Sequence, residues 1–217
     1  MFKIKFNQCS FRRLLLDNFQ KKYAFLYKGV VLDIGGRDRG LFKKPKQEVK
    51  KWIFADIEST HNPDIVLDVA NMNNIFDKSI DVINAIELFE HVEKIEDGLR
   101  ECYRVLKDDG LMIISVPFLF QIHGDPYDYQ RWTIEKWRME LKKYNFKINK
   151  IEIMGRVFTL LADIIRNIFN SLPRPVNRIS YLFYPFLLFL SKIDNTRFVL
   201  KSNLKNYHGG YFMIIKK

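Results

Sequence analysis

The sequence predicts an α/β fold: a doubly wound, mostly parallel seven-stranded sheet with helices on both faces and a helical insertion before the last strand. Three observations predict it. Runs such as "GVVLDIG" (29–35) and "GLMIISVPF" (110–118) are too short for helices and too continuously apolar for half-exposed strands, which suits a parallel sheet covered on both sides. Helical spacing lies between such runs, as in Ile95, Leu99, Cys102 and Leu106. Several runs also end in an acid, the place where open α/β sheets meet their ligands.

The elements follow in order. Residues from about Ser10 to Tyr27 read as an amphipathic helix, with Phe11, Leu14, Leu15, Phe19, Phe25 and Leu26 on its apolar face. "GVVLDIG" is the first strand, and Pro45 to Lys51 a short helix entered through proline. "KWIFADI", "PDIVLDVA" and "SIDVINAIE" are the second, third and fourth strands. A helix from about Val92 to Leu106 stops at "KDDG", and "GLMIISVPF" is the fifth strand. Thr133 caps a helix through Tyr144, with Glu135 in the first turn where the helix dipole favours an acid. "FKINKIEIM" and "GGYFMIIKK" are the last two strands. Ligand-binding residues are expected just after Leu32, Ala55, Leu67, Ile86 and Val116.

At 217 residues, 47% hydrophobic and 28% charged, the chain fits one globular domain with a full core. Its organisation reads as a helical segment (1–28), a core (29–155), a basic hydrophobic insertion (156–207) and the final strand (208–217). Cys9 and Cys102 match no metal or redox spacing, so two free thiols in a reducing, cytoplasmic setting are expected. The longest purely apolar run near the start is "LLL" at 14–16, which does not make a signal peptide.

The turn after the first strand narrows the ligand. A dinucleotide fingerprint needs a second glycine two residues after Gly35, and Arg37 stands there. No Gly-Lys-Ser or Gly-Lys-Thr of a phosphate-binding loop occurs either. Three acids remain at strand ends: Asp33, Asp56 and Asp68. Asp56 follows Asp33 at about the offset where such sheets place an acid against ribose hydroxyls. A ligand with an adenosine, no phosphates and a cationic centre suits these carboxylates, and S-adenosylmethionine has those properties.

On "VLDIGGRDRG", "ADIES", "LDVAN" and the block "DVINAIELFEHVEKIEDGLRECYRVLKDDGLMIISVPF", the chain resembles the class I S-adenosylmethionine-dependent methyltransferases of the type 11 group, over about residues 29–155 and the last strand. The resemblance implies a single Rossmann-like methyltransferase domain using S-adenosyl-L-methionine. It implies that Asp33, Gly35 and Gly36 line the methionine end, that Asp56 with Ile57 takes the ribose hydroxyls, and that Asp68 with Val69 takes the adenine, Glu87 lying nearby. The sequence departs from the family pattern at Gly36-Arg37-Asp38-Arg39, where the family prefers small residues.

Methyl transfer is an in-line displacement, so the protein must mainly position the nucleophile and take its proton if it is a hydroxyl. "FLFQIHGDPYDYQRWT" (118–133) follows the fifth strand and is dense in polar and aromatic groups. His123 is the expected base, since an imidazole titrates near neutrality, with Asp125 beside it. Tyr127, Tyr129, Arg131 and Trp132 are expected to meet the acceptor. Similar His-Gly-Asp-Pro and Arg-Trp-Thr loops occur in methyltransferases of polysaccharide synthesis. In "ELFEH", Glu87, Glu90 and His91 match a Glu-x-x-Glu-His set that some relatives use for magnesium or manganese. Many relatives with Glu-His-Val use no metal, and the expectation is none, with that triple as the alternative.

Residues 142–217 carry 14 Lys and Arg against 3 Asp and Glu, the whole net charge of +11, and include "YLFYPFLLFL" (181–190). Ten residues with Pro185 inside fall far short of the roughly 20 needed to span a bilayer. Val157, Leu160, Leu161, Ile164, Ile165, Ile168 and Phe169 form one helical apolar face. That face is expected to pack as a lid or against a second copy of the chain, or to lie on an anionic membrane at the inner surface. Its bases are not interleaved with stacking aromatics, so nucleic acid is set aside as a partner. The expected activity is O-methylation of a sugar or lipid-linked glycan intermediate. An RNA or a small quinone-like acceptor, or a non-catalytic scaffold, are the alternatives.

Overall fold

The computed structural model describes residues 9–37, 41–124 and 126–217. Gly29 opens the sheet. It takes φ +63°, and a Cβ there would lie 2.4 Å from the Asp81 carboxylate, which accepts the Val30 N–H at 2.8 Å. From this turn run β1 (Gly29–Ile34), β2 (Val49–Asp56), β3 (Ile65–Val66), β4 (Ile80–Ile86), β5 (Leu106–Pro117), β6 (Lys147–Ile153) and β7 (Gly210–Lys216). They form one seven-stranded sheet in the order β3-β2-β1-β4-β5-β7-β6. β1 to β5 pair in parallel, and β7 runs antiparallel between β5 and β6. The chain crosses from β3 to β4 on the far side of β1, so strand order reverses between β1 and β4. Such a switch point opens a crevice at the carboxyl ends of the strands.

Alternate residues of each strand feed cores on opposite faces. On one face Leu32, Ile34 and Ile83 pack with Leu99 and Cys102 of α2 (Ile95–Val105) and Trp137 of α3 (Ile134–Lys143). On the other, Val31, Val82 and Phe212 pack with Leu16 of α1 (Phe11–Lys22) and with Tyr27. The predicted Thr133 cap forms, its Oγ1 accepting the Lys136 N–H at 3.3 Å, and Ser10 Oγ caps α1 by accepting the Arg13 N–H at 3.0 Å.

Two local expectations fail. The short helix at 45–51 does not form, because Val49 to Lys51 already belong to β2, where Val49 pairs with Gly29 and Lys51 with Val30. A seven-residue helix would leave most of its backbone groups without partners, and the strand does not. β3 is only two residues long, because Asp68 turns the chain: its Oδ1 accepts the Ala70 N–H at 2.8 Å and its carbonyl the Asn71 N–H at 2.9 Å.

The insertion comprises α4 (Val157–Ser171), α5 (Ile179–Lys192) and α6 (Arg197–Lys201). Long-range carboxylate caps bolt it to the core. Asp163 of α4 accepts the Phe11 and Arg12 N–H groups at 2.6 and 3.1 Å, closing the start of α1. Asp194, just after α5, accepts the N–H groups of Arg156, Phe158 and Thr159 at 2.7, 2.9 and 3.0 Å. The apolar face of α4 is in part turned outward: Thr159, Ala162 and Asp163 are buried, while Leu161, Ile164 and Ile168 are exposed. Asp163 and Thr159 lie on that inward side, where the long-range caps are made. Asp194→Ala leaves three backbone donors without their acceptor. It is expected to cost about 2 kcal/mol or more, read as a lower urea midpoint. An unmoved midpoint would show that α4 starts without this cap.

Candidate active site

The crevice at the strand switch holds a cavity of about 450 Å³, within the range of small-molecule sites. Gly35, Asp56, Ile57, Asp68, Val69 and Glu87, six of the eight predicted cofactor residues, line it. Gly35 takes φ +69° at the end of β1, the left-handed turn that lets backbone face the crevice. Asp56, at the end of β2, is buried. Its Oδ1 accepts the Glu58 N–H at 2.9 Å and its Oδ2 lies 3.1 Å from His61 Nδ1. His61 Nε2 in turn lies 3.0 Å from Arg37, which also lines the cavity.

Asp33 and Gly36 sit elsewhere. They line a narrower cavity of about 60 Å³ that shares Gly35, Arg37 and Glu87 with the larger one. Asp33 is enclosed in a polar network: its carboxylate accepts from Asn84 Nδ2 at 2.6 Å and Trp52 Nε1 at 2.8 Å, with Lys44 Nζ at 3.1 Å. Burial raises its pKa against the pull of Lys44 and those bonds. A Cβ at position 36 would stand 2.0 Å from this carboxylate, so only glycine fits there. Asp33 thus lines the narrower cavity, and its carboxylate braces the turn. Asp38, Arg39 and Gly40 lie outside the described residues.

Glu87 ends β4 with φ +52°. Its Oε1 accepts from Ser115 Oγ at 2.9 Å and its Oε2 from Arg12 at 2.5 Å. Burial opposes the charge, but the Arg12 guanidinium and Ser115 hold its pKa below the ordinary carboxylate range. Arg12 also lies over the Phe120 ring, 4.3 Å from the centroid, so α1 latches across the crevice.

The loop after β5 supplies the open side. Tyr127 and Tyr129 line the large cavity, their rings 5.7 Å apart. Arg131 is turned away, clamped on Asp128, and Trp132 packs 5.0 Å from Trp137, so both brace the loop and stand outside the cavity lining. Asp125 lies outside the described residues. His123 is T-shaped against His91, ring centroids 5.1 Å apart, and its Nε2 lies 3.9 Å from Glu90 Oε1. His91 Nε2 lies 3.8 Å from the same oxygen. Glu90 is 2% exposed, and its oxygens accept no hydrogen bond from another described side chain. Burial, then the nearby Glu87, pushes its pKa well up. Of the alternative triple Glu87, Glu90 and His91, Glu87 pairs with Arg12, and His123 stands with Glu90 and His91.

Residues 28–114, from β1 into β5, match the family model of the methyltransferase domain, type 11. The chain carries a class I S-adenosylmethionine-dependent methyltransferase domain. Solved structures agree on the fold of this methyltransferase. It is similar to a SAM-dependent methyltransferase from Archaeoglobus fulgidus, at 18% identity and TM-score 0.56, over 94% of each chain. It is also similar to phosphoethanolamine N-methyltransferase 2 of Haemonchus contortus, solved with S-adenosyl-L-methionine, at 15% identity and TM-score 0.56 over 94% of this chain and 52% of that one. The [4+2]-cyclase SpnF matches as well, at 14% identity and TM-score 0.55 over 94% and 80%. Identities this low establish architecture and leave the acceptor to the site itself. No curated protein matches the sequence.

Sequence reasoning missed four contributors to the methyltransferase site. Arg12 sits in an amphipathic helix with no motif around it, and His61 in a loop of mixed residues. Lys44 and Trp52 carried no signal beyond general polarity and strand pattern.

Proposed function

We propose that this methyltransferase O-methylates a sugar or a lipid-linked glycan intermediate at an anionic membrane surface. S-adenosylmethionine supplies a sulfonium methyl that an acceptor oxygen displaces in line. The residues present fit it: a cavity of suitable size, a left-handed Gly35, a Gly36 that admits no Cβ, and acids at successive strand ends. Asp56 would hold the ribose hydroxyls, with Ile57 beside the ring, and Asp68 and Val69 would hold the adenine. Gly35 and Glu87 would face the methionine end, with Asp33 and Gly36 shaping the turn behind it.

On the acceptor side, Tyr127 and Tyr129 offer flat faces with hydroxyl tips, 63% and 47% exposed at the cavity mouth, which suits a ring bearing hydroxyls. His91 and His123 each spend Nδ1 on a loop acceptor and leave Nε2 on the inner side. Those two lone pairs are what the site offers to a hydroxyl proton.

The observation that carries the membrane half is the outer surface of the insertion. Leu161, Ile164 and Ile168 of α4 and Leu182, Phe186 and Phe189 of α5 are all exposed, Leu182 by 81%. Arg174, Arg178, Lys192 and Arg197 lie in and beside the same two helices, in the part of the chain that carries the net charge. No helix of the described residues is long and apolar enough to cross a membrane. Exposed apolar area with neighbouring cations is the composition of an element lying on an anionic surface, where each cation adds about 1 kcal/mol. The protein is expected to float with phosphatidylglycerol-containing vesicles at low salt. It should be only partly released at 1 M salt, where the screening length is about 3 Å and the apolar part persists. The variant Leu182→Ser/Phe186→Ser/Phe189→Ser is expected to stay behind. Failure of the intact protein to float at any salt concentration would remove the membrane from this reading and leave the segment as a lid or a contact with a second copy of the chain.

A further inference from the structure

We propose that Glu90, His91 and His123 hold a divalent cation, zinc above all, at the acceptor end of the cavity. Glu90 is 2% exposed, with both oxygens bare toward other described side chains. A buried carboxylate without hydrogen bonds is costly unless a cation meets it. What faces it is a pair of imidazole nitrogens, His91 Nε2 at 3.8 Å and His123 Nε2 at 3.9 Å from Oε1. These three ligand atoms lie within 4.8 Å of one another.

The outer nitrogens fix the tautomers. His91 Nδ1 lies 2.5 Å from the Tyr127 carbonyl, which can only accept, so the proton sits on Nδ1 and the lone pair on Nε2. His123 Nδ1 lies 3.3 Å from the Gln121 carbonyl and 3.4 Å from Asp128 Oδ2, with the same consequence. Metal-bound histidines are oriented this way, by a carbonyl or carboxylate on the other nitrogen. Bonds of about 2.0–2.2 Å in a tetrahedral zinc site put ligand atoms roughly 3.3–3.5 Å apart, so the two Glu–His separations need to contract by about half an ångström and the widest separation by at most about 1.5 Å.

Two histidines and one carboxylate leave the fourth position open, the pattern of catalytic rather than structural zinc. His91 and Tyr127 line the large cavity, so that position is reachable from it. This inference deepens the proposed O-methylation and rests on it for its chemistry. With the cation bound, both imidazoles act as ligands in place of bases, and an acceptor hydroxyl on the cation has a lowered pKa and loses its proton to solvent. Its oxygen then forms the new C–O bond as the methyl–sulfur bond breaks and the sulfonium becomes a thioether.

The test uses the full chain, stripped with a chelator and titrated calorimetrically with zinc chloride, and separately with S-adenosylhomocysteine. One zinc per chain is expected. Glu90→Gln and His123→Ala should bind zinc at least 100-fold more weakly and S-adenosylhomocysteine unchanged. Asp128→Asn, which leaves all three ligands in place, should weaken zinc by roughly 10- to 100-fold and serves if a ligand variant does not fold. No stoichiometric zinc in the intact chain, or equal zinc affinity in the variants, overturns the proposal. If S-adenosylhomocysteine still binds in that case, the methyltransferase reading stands without a metal.

Discussion

Replacing Asp56 by alanine is expected to weaken S-adenosylhomocysteine binding by roughly 10² to 10⁴-fold. Two hydrogen bonds from ribose hydroxyls to a carboxylate contribute about 1.5–3 kcal/mol each, and about 1.4 kcal/mol is a factor of ten. Asp56 is well placed to accept them, since it ends β2, lines the large cavity and is oriented by the Glu58 N–H and His61. A carboxylate has about four lone-pair positions, so these contacts leave room for a ligand. Titration calorimetry on Asp56→Ala is the measurement, with circular dichroism to confirm the fold. Unchanged affinity would move the ribose site away from the end of β2.

Arg12→Met is expected to destabilise the protein by about 3–5 kcal/mol, because it strands a buried carboxylate. The Arg12 and Glu87 side chains are only 5% and 13% exposed and meet at 2.5 Å. The guanidinium also covers the Phe120 ring, so its removal uncovers the crevice where α1 crosses it. The double variant Arg12→Met/Glu87→Gln should recover much of the loss, since the unpaired charge is then gone. Urea denaturation of the four proteins in this cycle gives the coupling directly. A loss below about 1 kcal/mol in Arg12→Met would show that Glu87 does not depend on α1 for its charge.

Most of the sheet was legible because its information is local. The apolar runs, Thr133 as a cap, and acids where strands end act over a few residues, and each took its expected place. The same locality explains the failures. Pro45 to Lys51 carries a plausible helix start, yet backbone pairing with Gly29 and Val30 claims its second half. The apolar face of α4 left its partner open, and the fold turns Leu161, Ile164 and Ile168 outward while distant carboxylates tie the inner side to the core.

Of the site, the sequence by itself determined the crevice and most of its lining: Gly35 and the acids Asp56 and Asp68 follow from where strands must stop and what a cationic adenosine ligand needs. It also marked the loop at 118–133, whose Tyr127 and Tyr129 line the same crevice. Only the tertiary structure decided which partner each buried charge takes. Arg12 and Glu87 are 75 residues apart, and nothing in the "ELFEH" spacing says that Glu87 is neutralised by an N-terminal helix. His123 comes to Glu90 for the same kind of reason, through the path of a loop. A buried charge must be compensated by whatever the fold brings within a few ångströms. That requirement acts through space, so no pattern along the chain records who answers it.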